Sequence, residues 1–106
     1  MADLKWNKKF AEEQTGGDPE LLVELLELLS SSSLADLEKI KAALAAQDGD
    51  GLADAAHSIK GASASLGVEG LRQISYEFEK KGRANDLTNL DLTELENLVG
   101  QLADLK

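Results

Sequence analysis

The chain has 106 residues, with 11 basic against 20 acidic side chains, a formal charge of −9, no cysteine and a single histidine. Such a composition excludes a disulfide framework and a thiolate metal site, leaves too little imidazole for a dedicated zinc centre, and argues against nucleic acid and anionic membrane as partners. The length suits one domain, residues 1–106, built around a single core.

The most apolar run, Leu21 to Leu29, is interrupted by Glu24 and Glu27 and cannot span a membrane. Asp3, Lys5 and Lys8 deny the N-terminus the apolar core of a signal peptide, so a cytoplasmic location is expected. Residues 4–14 predict a short capping helix, with Leu4, Trp6, Phe10 and Ala11 set among charges and Trp6 and Phe10 as core or lid residues. Gly16 and Gly17 end it. Asp18, Pro19 and Glu20 then supply an N-cap, a proline at the first helical position and an early carboxylate.

A second helix is expected over 19–46. The serines at 30–33 resemble a linker, but Leu22, Leu26, Leu29, Ser33, Leu37, Ile40 and Leu44 keep steps of four and three straight through them. One helix of about 40 Å follows, with the serines at small or exposed positions. It ends at Asp48-Gly49, and Asp50 is expected to cap a third helix over 51–66, closed by Gly67. A fourth, over 69–81, buries Leu71, Ile74, Ser75 and Phe78, carries Arg72, Tyr76, Glu79 and Arg83 on its flank, and stops at Gly82. The fifth, over 92–104, has Asp91 as cap, Glu94 in a capping-box position, and a stripe of Leu92, Leu95, Val99 and Leu102. No strand alternation or repeat is evident. Short connections make successive helices antiparallel neighbours, so the expected class is all-α, an antiparallel up-and-down four-helix bundle with a short N-terminal capping helix.

Within the third helix Leu52, Ala56, Ile59, Ser63 and Leu66 form the buried seam. His57 lies about 160° from Ile59 and points outward. Gly61 and Ala64 follow it on the same face and leave a clearing through which a large partner can reach the imidazole, with Ala64 part of the partner surface. A helix-interior glycine costs about 1 kcal/mol relative to alanine, so Gly61 needs a reason, and close helix packing explains it as well as access does. Lys60 is a surface neighbour of His57 whose ammonium can swing back over the ring.

The HSIKG segment from His57 to Gly61, followed by Leu66-Gly67, resembles the signature of the histidine-containing phosphotransfer (HPt) domains of bacterial multistep phosphorelays. The resemblance extends from the Gly16–Glu20 restart to Arg83. It implies that His57 is the phosphoacceptor, Lys60 the phosphate-stabilising lysine and Gly61 the access glycine. Glu79 falls where related domains orient the imidazole, and Arg83 where some members carry a basic residue. The competing reading makes Glu79 a surface carboxylate paired with Arg72 or Arg83. The expected protein is a phosphocarrier rather than an enzyme, a monomer without nucleotide loop or cofactor. Its partners would be response-regulator receiver domains, which supply magnesium, and a sensor or hybrid kinase. A non-catalytic acidic scaffold, or the same module excised from a larger kinase, are the competing readings.

Overall fold

A computed structural model describes residues 3–105. Five helices follow in order: α1 (Lys8–Gln14), α2 (Pro19–Ala45), α3 (Gly49–Ser65), α4 (Glu69–Arg83) and α5 (Thr93–Gln101), the last tightening into a 3-10 turn over Leu102–Leu105. The class is all-α. Among the described residues there is no strand, only an isolated antiparallel bridge between Trp6 and Val68.

The first helix is shorter than its composition suggested. Lys5 adopts a left-handed φ of 50°, and Asn7 caps α1 by accepting the Phe10 N–H, so Leu4 to Trp6 stay outside the helix. That segment is used elsewhere: the Gly70 N–H donates to the Leu4 carbonyl at 2.6 Å and the Trp6 indole N–H to Leu66 at 3.0 Å. The N-terminus thus ties down the α3–α4 connection.

Helix α2 runs unbroken through the serines, capped by Asp18 at the Glu20 and Leu21 N–H groups. Ser33 is fully buried in the seam while Ser31 and Ser32 face solvent, which lets the leucine phase continue. Helix α3 starts earlier than expected. Its cap is Asp48, not Asp50, accepting the Gly51 N–H at 2.9 Å, because Gln47 turns left-handed at φ 57° and reverses the chain within the preceding residues. The seam of α3 is buried as its spacing requires, and Gly67 closes it with φ 72°. Helix α4 does not stop at Gly82 but continues to Arg83, since Gly82 is a packing residue rather than a terminator. Helix α5 is capped differently from the expected box: Asp91 accepts the Thr93 N–H and Leu92 is the boundary residue.

The core gathers Leu26, Leu29, Leu37 and Ile40 of α2, Leu52, Ala56 and Ile59 of α3, Leu71 and Phe78 of α4, and Leu95, Leu98 and Val99 of α5. No described helix is long and apolar enough to cross a membrane.

Candidate functional site

Burying Leu52, Ala56, Ile59 and Ser63 commits the opposite face of α3 to solvent. His57 stands there with its side chain 61% exposed. Gly61, one turn on, is open: a Cβ built at this position meets no atom within 4 Å. The packing explanation for this glycine therefore fails, and the clearing is real. Ala64 continues the same line half-buried.

The partner side of the site comes from α4, and a glycine contact decides how near it comes. A Cβ on Gly82 would lie 2.6 Å from the Gly49 carbonyl oxygen and 2.9 Å from the Cβ of Ala53. Only without that atom can the two backbones touch. One turn along each helix from this contact lie His57, four residues after Ala53, and Glu79, three before Gly82. The close approach brings the carboxylate to the ring: Glu79 Oε2 is 2.9 Å from His57 Nδ1.

Glu79 holds two groups at once. Its Oε1 is 2.6 Å from Lys60 Nζ, in a close ion pair that approaches off the hydrogen-bond direction. The carboxylate is 13% exposed. Burial pushes its pKa up, but the close Lys60 ammonium and the hydrogen bond with His57 outweigh that, and the carboxyl is held below its ordinary value of 4.5. A carboxylate so held is an acceptor only, so the neutral ring that faces it carries its proton on Nδ1, and Nε2 has no hydrogen-bond partner among the described residues. Among the described residues Glu79 is the one hydrogen-bond partner of the ring.

Lys60 makes contacts that its position three residues after His57 did not specify. It reaches across to α4, contacting the same Glu79 carboxylate that holds the imidazole and standing 5.0 Å from the centre of the Tyr76 ring. Arg72 pairs with Glu69 at 2.7 Å, and Arg83 with Asp54 at 2.8 Å and Asp50 at 3.9 Å. Neither arginine engages Glu79 in an ion pair, and Arg83 is not brought to the imidazole. It braces α4 against the first turns of α3 instead. The sequence reading missed Tyr76 and the Asp50–Asp54 pair as site neighbours. Their signal was present in the spacing, since Asp50, Asp54 and His57 share one helical face, as do Tyr76, Glu79 and Arg83.

The ring sits on an open face. The groove of about 530 Å³ bounded by Leu25, Leu28, Ala62 and Leu66 does not include it. With the ring unenclosed, this chain by itself surrounds little of any reacting molecule, and the open face leaves room for a large one. No group of three or more His, Cys, Asp or Glu residues capable of holding a metal occurs among the described residues.

The Hpt domain matches residues 24–105. The sensor histidine kinase GacS of Pseudomonas protegens is 38% identical over 90 residues, which make up 82% of this chain and 10% of that protein. The chain therefore spans about a tenth of the length of the curated relative it matches. No solved structure matches it significantly. The family match spans the whole of α3 and α4, and with them every residue around the imidazole: the chain belongs to the Hpt domain family.

Proposed function

We propose that this chain is a phosphorelay intermediate in which His57 accepts a phosphoryl group from a receiver-domain aspartate, or from a kinase, and passes it to the aspartate of another receiver. The observation that carries the reading is the exposed ring whose Nδ1–H is held by Glu79 at 2.9 Å. Phosphotransfer in two-component signalling is the work of the Hpt family, and the matched region of a sensor histidine kinase agrees with it.

The residues suit the step. The Nε2 lone pair attacks phosphorus, the bond from phosphorus to the donor aspartate breaks, and the carboxylate leaves with the electron pair through a loose in-line transition state. The ring keeps its Nδ1 proton and becomes cationic, and the Glu79 carboxylate stabilises that charge as the third member of a catalytic triad does. In the reverse direction the same proton lets the imidazole leave neutral. Lys60, already beside Glu79, offsets part of the roughly two negative charges of the attached group. Gly61 and Ala64 leave room for the partner, and Arg83 fixes the α3–α4 register from outside. Magnesium belongs to the receiver. The chain has no nucleotide loop and acts as a carrier.

The scaffold is read as an antiparallel up-and-down bundle of α2 to α5 with α1 across one end. Contacts of α2 with α3, α3 with α4, α4 with α5 and α2 with α5 support that arrangement. A monomeric, cytoplasmic module fits the acidic surface.

Incubation with a phosphorylated receiver tests the function. Acid-labile phosphate should appear on the wild-type protein and be absent from His57→Gln, whose helical signal and melting temperature stay near wild type. Label on the variant would assign the acceptor elsewhere. No label on either protein would leave the acidic scaffold as the better reading.

A further inference from the structure

Tyr76 has no part in the chemistry above, yet it is built into the same cluster. It lies three residues before Glu79 on the same face of α4 and is 45% exposed. Lys60 Nζ stands over its ring, 5.0 Å from the centroid, while reaching Glu79 Oε1 at 2.6 Å. Lys80 approaches the ring at 4.7 Å, but is tethered to Glu77 at 3.3 Å.

A lysine on a flexible four-carbon stem is poorly fixed by one carboxylate, because the ammonium is a point charge that pivots about its contact. A second contact from a different direction removes that freedom. The negative face of an aromatic ring provides one without adding a competing anion. Tyr76 and Glu79 project from one rigid helix, so the two contacts keep a fixed separation and confine Lys60 between them.

We propose that Tyr76 is a positioning residue of the phosphoryl site: its ring face holds the Lys60 ammonium against Glu79 and beside the imidazole, where an incoming phosphoryl group meets it. The inference rests on His57 being the phosphoacceptor. Tyr76 does not touch the reacting atoms. It acts through Lys60.

The test compares Tyr76→Leu, which removes the aromatic face, with Tyr76→Phe, which keeps it. Lys60→Ala and the double variant Lys60→Ala/Tyr76→Leu complete the cycle. Labelled phosphoramidate serves as donor, since a small donor makes no docking contacts with Tyr76. Uptake should slow about threefold in Tyr76→Leu, the size of one exposed cation–π contact, with Tyr76→Phe close to wild type. The double variant should be no slower than Lys60→Ala alone. Carbon-detected NMR of the unphosphorylated proteins should show the Glu79 carboxyl titrating at higher pH in Tyr76→Leu but not in Tyr76→Phe. A wild type that takes no label overturns the phosphotransfer reading and this inference with it. Labelled wild type with an unchanged Tyr76→Leu rate overturns the inference alone. So does a Tyr76→Phe variant as slow as Tyr76→Leu, an unmoved Glu79 titration, or a double variant slower than Lys60→Ala.

Discussion

Gly61 and Gly82 flank the imidazole on neighbouring helices, and replacing each with alanine should move stability in opposite directions. At Gly61 the added methyl meets nothing within 4 Å, so the only change is backbone propensity, worth about 1 kcal/mol in favour of alanine. At Gly82 the methyl would fall 2.6 Å from the Gly49 carbonyl and 2.9 Å from the Ala53 nitrogen, both of them backbone atoms that cannot swing aside. The helices must separate. Overpacking of this kind costs about 1–3 kcal/mol, and with backbone on both sides the upper end applies, so the net effect after the propensity gain is a loss of about 2 kcal/mol. Equilibrium urea unfolding followed by far-UV circular dichroism should therefore place the two midpoints on either side of wild type. A second consequence separates access from packing. Gly61→Gln should fold at least as well as wild type yet slow transfer from a phosphorylated receiver, while leaving uptake from phosphoramidate unaltered, because only the large donor needs the clearing. In Gly82→Ala the separation pulls Glu79 from the ring, so both donors should be affected. A destabilised Gly61→Ala or a stabilised Gly82→Ala would refute the assignment of one glycine to access and the other to packing.

Lys60→Ala should lower the equilibrium extent of His57 phosphorylation roughly tenfold, since a charge-assisted contact is worth about 1.5 kcal/mol or more, as read by acid-labile label at fixed donor; unchanged labelling would remove Lys60 from the site. Glu79→Ala should release the Nδ1–H and mix the two neutral tautomers, which nitrogen-detected NMR of the unphosphorylated protein reports directly, and an unchanged tautomer ratio would make Glu79 a bystander. The depressed Glu79 pKa also has a stability consequence. Below its unfolded value of 4.5 the unfolded chain binds the proton more readily than the folded one, so the contribution is fully present above that pH and is lost as pH falls through the lower folded value. The stability difference between wild type and Glu79→Gln should then shrink from pH 6 toward pH 3 in urea unfolding, and a constant difference would contradict the pairing.

Sequence by itself determined the helical class, the unbroken phase of α2 through its serines, the seam of α3 and hence the outward direction of His57. These are consequences of local periodicity: once Leu52, Ala56 and Ile59 are committed to the core, the geometry of 3.6 residues per turn leaves the histidine no other direction. The resemblance around HSIKG added the family and the candidate roles. Where terminators and caps were concerned, local rules failed wherever a distant contact outbid them. Trp6 and Leu4 left the first helix for the α3–α4 connection, and Gly82, a stop signal in the sequence, is held inside α4 by its contact with Gly49. Only the tertiary structure decided which acid serves which base. Glu79, Arg72 and Arg83 are spaced so that several pairings are possible along α4, and the choice depends on how close α3 lies. The Gly49–Gly82 contact sets that distance, which gives Glu79 to His57 and Lys60, Arg83 to Asp54, and places Lys60 over Tyr76. A charge pair across two helices is a property of their separation, and separation is fixed by the smallest side chains at the crossing, far along the chain from the charges they bring together.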